Sequence, residues 1–182
     1  MTRTKKPPVP HDPAWASAFV AARQTISSIL GDDAIGIHHV GSTAIPDILA
    51  KPVIDILIEA TSLEALGRAH DAFGRAGFIG KGEKGIEGRR YFMKDNVEGA
   101  RSHHIHAFAK GSPHIERHLA FRDYLLAYPD IARAYSQVKQ EILADWRGID
   151  DYIARKASFV GETERAALNW YRARSITKGA QG

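Results

Sequence analysis

The stretch Ile37–Ile58, IHHVGSTAIPDILAKPVIDILI, decides how the rest of the chain is read. A β-branched apolar run, 34–40, ends in the turn Gly41-Ser42-Thr43, and a second run, 53–58, carries a single carboxylate, Asp55. Both runs are bounded by Gly and Pro and are read as strands. Glycine lets the backbone approach an anion closely, and the turn adds amide N–H groups and two hydroxyls, so Gly41, Ser42 and Thr43 are candidate phosphate ligands. Burying a carboxylate without a partner is costly, which makes Asp55 a candidate metal ligand. The same residues also admit a second reading, a hydroxyl-rich turn before a core strand whose Asp faces solvent at a sheet edge.

Toward the N-terminus, residues 1–11 hold Lys5, Lys6 and three prolines with little to bury, and are expected to form a flexible arm. Asp12-Pro13 reads as the N-cap and first position of a helix in which Trp15, Phe19, Ala22, Ile26, Ile29 and Leu30 keep helical spacing until Gly31. Toward the C-terminus, 62–76 predicts one helix with Leu63, Leu66, Ala69, His70 and Phe73 on one face. Three extended segments follow, at 78–79, 89–94 and 103–108, punctuated by glycines. Helices are then predicted at 113–127, 130–146 and 150–175, separated at Pro129 and Gly148. The expected fold is α+β: one domain over 12–176, with a small mixed sheet covered by helices on one face and a C-terminal helical cluster.

At 182 residues, 44% hydrophobic and 25% charged, the chain has enough material for a self-sufficient core. It contains no cysteine, which excludes a disulfide framework, a Cys-ligated zinc and a thiol nucleophile. No apolar run approaches the roughly 20 residues of a spanning helix, and MTRTKKPPVP lacks the apolar core of a signal peptide. The expectation is a soluble, cytoplasmic protein without membrane contact. A formal charge of +4 and a pI near 9.4 lean toward anionic partners. That excess fits phosphorylated small molecules and is modest for a dedicated nucleic-acid binder, and the aromatics show no stacking platform for bases.

Strand alternation places His104, His106 and Phe108 on one face, and His103, Ile105 and Ala107 on the other. His104 and His106 can therefore share a metal or a phosphate, or act as a base; alternatively they are surface histidines at a sheet edge. His38 and His39 alternate in the same way, and one of them, His39 in preference, can face the same site; the alternative for each is a histidine with no part in the site. Gly80-Lys81-Gly82-Glu83-Lys84-Gly85 matches G-x-G-x-x-G in form, but the next segment reads as a strand, whereas a dinucleotide fingerprint must open a helix. Lys81, Lys84, Arg89 and Arg90 then form either a cationic lid over phosphates or a solvated basic hairpin. Arg122, Tyr135, Lys139, Tyr152 and Lys156 lie among apolar residues at helical spacing, facing inward or snorkelling at the rim of a core. A Ser-His-Asp order, an H-E-x-x-H motif and a Walker loop are all missing from the sequence.

The motifs HVGSTAIPDILAKPVIDI, GRRYF, HHIHAF and RHLAFRDYL, with Tyr152 and Lys156 in a Y-x-x-x-K spacing, resemble the GrpB family of uncharacterised proteins from about Asp12 to about Glu164. The resemblance implies a fold similar to the nucleotidyltransferase superfamily, and a kinship with the C-terminal extension of some dephospho-CoA kinases. In that superfamily a Gly-Ser turn holds a triphosphate and a D-x-D strand holds divalent metals, which map here onto Gly41-Ser42 and onto Asp55 with Leu57. Leu57 departs from the pattern, since leucine cannot ligate a metal and two-metal phosphoryl transfer needs carboxylates on both sides of the ions. The segment corresponding to a third carboxylate offers His104 and His106, which suit zinc or manganese better than magnesium.

The combined expectation is a nucleotidyltransferase-like protein that binds a phosphorylated ligand, a nucleotide, with a divalent metal (Mg, Mn or Zn). Ser42 and the turn amides would hold the phosphates, and Asp55, His104 and His106 would be metal ligands and catalytic groups. Lys51, Arg89 and Arg90 would neutralise charge, with Arg122, Tyr152 and Lys156 completing the pocket. The alternative is a non-catalytic binding or regulatory module that keeps the pocket without the second carboxylate.

Overall fold

A computed structural model describes residues 7–179. Helix α1, Ala14–Leu30, begins where Asp12 Oδ1 accepts from the Ala14 N–H at 2.9 Å, so Asp12 does cap it. Trp15, Ala22, Ile26 and Leu30 are its buried stripe. Strand β1, Ala34–Val40, is followed by the turn and by β2, Ile54–Ala60. The segment read as one helix is two, α2 (Leu63–Arg68) and α3 (His70–Arg75), broken at Ala69. Gly67 and Gly74 weaken helical continuity there, and the break lets Leu66 and Phe73 both reach the core. Strands β3 (Ile79–Gly80), β4 (Arg89–Asp95) and β5 (Arg101–Ala109) precede α4 (Pro113–Ala127), α5 (Pro129–Ala144) and α6 (Ile149–Gly179).

The five strands form one mixed sheet in the order β1-β2-β5-β4-β3. β2 runs parallel to β5 and every other neighbouring pair is antiparallel. One face, with Ile54, Ile56, Ile58, Phe92 and Ile105, packs on α1 to α3. The expectation of helices on one face is corrected here: on the other face Val40, Leu57 and Phe108 pack against Ile115 of α4. The cause is β2, which is apolar on both sides and must be covered on both. A third cluster joins Ile45 and Ile48, in the segment before β2, to Leu125, Ala132 and Tyr135 of the helical cluster. Of the expected flexible arm, residues 1–6 lie outside the described residues. Within 7–11 the expectation fails, because Pro8 is buried and Val9 forms a β-bridge with Ala50, each donating its N–H to the other's carbonyl at 2.8 and 2.9 Å. Among the described residues no helix is long and apolar enough to cross a membrane.

Candidate functional site

The parallel register of β2 and β5 sets Asp55 opposite His104 and Leu57 opposite His106, so all four side chains share the face that α4 partly covers. Asp55 therefore does not face solvent at an edge. Its Oδ1 lies 3.1 Å from His104 Nδ1 and 3.7 Å from His106 Nε2. Burial alone would raise the Asp55 carboxyl, but the hydrogen bonding of the two imidazoles outweighs it and holds the group well below the usual carboxylate range. Neither neighbour on the same face of the strand is acidic: Val53 precedes Asp55 and Leu57, fully buried, follows it.

The turn is shaped around this carboxylate. Gly41 has φ 72° and ψ −174°, a conformation available essentially to glycine alone. A Cβ at Gly41 would lie 2.6 Å from Asp55 Oδ2, so the backbone approaches the acid as closely as it can. A short 3-10 turn, Ser42–Ala44, follows. The Thr43 hydroxyl is occupied, donating to the Val53 carbonyl at 3.3 Å and accepting from His39 Nε2 at 3.0 Å. His39 does not face the Asp55 site as expected. It lies opposite Ile56 and stacks on Phe19 at 4.9 Å, on the α1 side of the sheet, where burial brings its imidazole down to about 4.

A cleft of about 120 Å³ opens between the turn and α6. Ser42, Thr43 and Lys51 form one side, Asp55, Val53 and His104 the floor, and Tyr152 with Lys156 the far wall. Lys51 and Lys156 place their Nζ atoms 5.5 and 5.1 Å from the Tyr152 ring centroid, and Lys156 also donates to the Tyr135 hydroxyl at 3.4 Å. Burial pushes the Tyr152 phenol above its ordinary value, so at neutral pH it is a neutral donor.

Seven of the expected residues thus line one cleft, and Gly41 stands behind Asp55. Arg89 and His106 sit beyond His104: Arg89 donates to His106 Nδ1 at 3.3 Å and is anchored by the Glu83 and Lys84 carbonyls at 3.0 and 2.8 Å. Two expected ligands are elsewhere. Arg90 alternates to the opposite face, where it bonds the Arg89 carbonyl and lies 3.7 Å from Glu83. Arg122 is held on α4 by Asp123 and the His39 carbonyl, at 2.7 and 3.1 Å, outside the cleft lining. The basic segment 81–88 is an ordered hairpin connection, with Lys84 Nζ 4.2 Å from the Tyr91 ring centroid. Tyr91 in turn lies 5.6 Å from both His104 and His106.

Lys139 of α5 adjoins the candidate site and is not among the residues expected there. It is fully buried, and its Nζ donates to Ser42 Oγ at 2.8 Å and to the Leu49 carbonyl at 2.6 Å. A signal was present: Tyr135-x-x-x-Lys139 repeats the spacing of Tyr152-x-x-x-Lys156.

Asp55, His104 and His106 are also a metal-binding constellation, with one ligand atom from each lying within 4.8 Å of the others. One carboxylate oxygen and two imidazoles fit a borderline cation such as zinc or manganese. Arg89 sets a condition on that fit. A guanidinium only donates, so His106 Nδ1 accepts and the neutral ring carries its proton on Nε2, toward Asp55. A metal at this position must displace that proton.

An α+β domain with a glycine-shaped turn, a metal-competent Asp-His-His group and a lysine-walled cleft is the class these features define. The chain belongs to the GrpB family, whose description, "GrpB protein", matches residues 9–166. It is 41% identical over 167 residues to the UPF0157 protein YqkA of Bacillus subtilis (strain 168), covering 91% of this chain and 48% of that protein, so it spans about half the length of that relative. The crystal structure of the conserved protein GrpB from Enterococcus faecalis aligns with a TM-score of 0.83 at 36% identity, over 90% of this chain and 98% of that one. A more distant likeness, in fold alone, is to the Cid1 poly(U) polymerase, with a TM-score of 0.45 at 13% identity over 72% of this chain and 45% of that one.

Proposed function

We propose that the cleft binds the phosphates of a phosphorylated small molecule, a nucleotide, with a divalent cation held beside them by Asp55, His104 and His106. One observation carries this reading: the same cleft is walled by Ser42, Lys51 and Lys156 and floored by Asp55 and His104. The two lysines suit phosphate oxygens, and the carboxylate and imidazoles suit the metal that phosphates bring with them. At about 120 Å³ the cleft is far below the roughly 300 to 1,000 Å³ of pockets that enclose a drug-sized ligand. It therefore takes the phosphate end, while the rest of the ligand lies outside.

The residues divide the work. Ser42 and the turn amides orient phosphate oxygens, Lys51 and Lys156 balance their charge, and the Tyr152 ring lies 5.5 and 5.1 Å from the two ammonium nitrogens. The bound cation would supply Lewis acidity to a phosphoryl oxygen. Val53 and Leu57 favour a second reading, a binding or regulatory module. Two-metal transfer needs a further carboxylate, and the two nearest positions on this face of β2 are apolar.

Thermal unfolding with a panel of nucleoside mono-, di- and triphosphates, with and without magnesium, manganese or zinc, tests the reading. Saturation at about 100 times Kd stabilises by about 2.7 kcal/mol and raises Tm. The greatest shift is expected for a di- or triphosphate with zinc or manganese. If no nucleotide moves Tm under any metal condition, the reading fails. Release of a phosphoryl product would separate a transferase from the binding module.

A further inference from the structure

Lys139 has the surroundings of an ammonium group. Its Nζ meets the Leu49 carbonyl at 2.6 Å, Ser42 Oγ at 2.8 Å and the face of the Tyr135 ring at 3.8 Å from the centroid. An ammonium carries three N–H donors, and these three partners use them all. What the cage lacks is a negative charge. Among the described residues no carboxylate pairs with Lys139, and the charged groups acting on it are Lys156 of α6 and Lys51 of the segment before β2. The remaining titratable group against it is Tyr135, on its own helix. Burial, reinforced by those two lysines, brings the Lys139 amine down to about 6.

Ser42 connects this cage to the cleft, because the residue lines the cleft while its Oγ accepts from Nζ. A hydroxyl has one proton to give. Opposite a neutral amine, that proton is drawn to the Nζ lone pair. Opposite an ammonium, Oγ accepts and the proton turns outward, toward whatever occupies the cleft.

We propose that Lys139 is a positioning residue that takes up one proton from solvent when an oxyanion binds in the cleft: the anion supplies the counter-charge missing from the ammonium cage, and Ser42 relays it by accepting from Nζ and donating to the anion. This rests on the cleft being a phosphate site and adds that its affinity is linked to protons. The ligand class is a multiply charged oxyanion, a phosphate or polyphosphate group. The sign follows from linkage. Below about pH 6 Lys139 is already protonated and affinity is level, whereas above it each binding event must draw in a proton and affinity falls by at most tenfold per pH unit.

Sulfate is the probe, since it stays dianionic across the range. Isothermal titration of the whole chain between pH 5.5 and 8.5 is expected to show Kd rising several-fold per unit above pH 6.5. Lys139→Met, which cannot take the proton, and Lys139→Arg, which never loses it, are both expected to lose that slope, with Met binding more weakly than wild type at pH 6. A measurement that needs no variant is the binding heat at pH 7.5 in two buffers of different ionisation enthalpy, which should report close to one proton taken up per sulfate. An unchanged slope in both variants, or sulfate bound by the wild type without proton uptake, overturns the role of Lys139 and leaves the cleft reading standing. Absence of sulfate binding at every pH overturns both.

Discussion

Gly41 and Asp55 form a pair in which each explains the other. The carboxylate occupies the space a side chain at position 41 would need, and the backbone there adopts a conformation that other residues avoid. Gly41→Ala is therefore expected to cost about 1 to 3 kcal/mol from backbone strain alone. The contact at 2.6 Å adds displacement of the Asp55 carboxylate from His104. Urea denaturation would measure the first effect and zinc titration the second. A variant as stable as the wild type, with unchanged zinc affinity, would show that the turn is not shaped around the acid. At this scale the sequence was informative about residue type. A glycine after a strand and a lone acid in an apolar run both marked the site, whereas Lys139 looked like any lysine beside a tyrosine until α5 placed it under Ser42.

The elements act through two junctions. The parallel β2–β5 register brings Asp55 to the histidines, and the segment between the turn and β2 is clasped to α5. In that clasp the Leu49 N–H donates to Ser136 Oγ at 2.9 Å and the Leu49 carbonyl accepts from Lys139. Ser136→Ala leaves the amide without its partner, at an expected cost of about 1 to 2 kcal/mol. Amide hydrogen exchange should quicken in residues 45–53 while β2 and β5 stay protected. Unchanged exchange in that segment would mean that the clasp does not depend on Ser136. Strand and helix positions were mostly legible from alternation and from Gly and Pro punctuation. The break at Ala69 was not, because the apolar spacing of Leu63, Leu66, His70 and Phe73 is equally compatible with one helix or two.

Across the whole molecule, the cleft exists only because the helical cluster sits against the sheet. Ile45 and Ile48 dock onto Leu125, Ala132 and Tyr135, which holds Lys139 under Ser42 and brings Tyr152 and Lys156 opposite Asp55. Ile48→Ala is expected to cost about 2 to 5 kcal/mol, the range for truncating a buried Ile. Sulfate affinity, measured well below the melting temperature, should fall as well. Loss of stability with affinity intact would show that this cluster holds the fold without shaping the cleft.

By itself the sequence determined the α+β class, nearly all the elements, the turn and acid that meet at the candidate site, and the pairing of His104 with His106 on one face. Those properties depend on local backbone preference and on periodicity, which a chain carries within a few residues of each position. Only the tertiary structure decided that helices cover both faces of the sheet and that His39 turns to the α1 side. It also decided that Arg90 and Arg122 lie away from the cleft and that Lys139 stands buried behind Ser42. Several of these outcomes depend on contacts between residues far apart in the chain, such as Arg122 with His39 and Ser42 with Lys139, 83 and 97 positions apart, and on which buried polar groups find partners there.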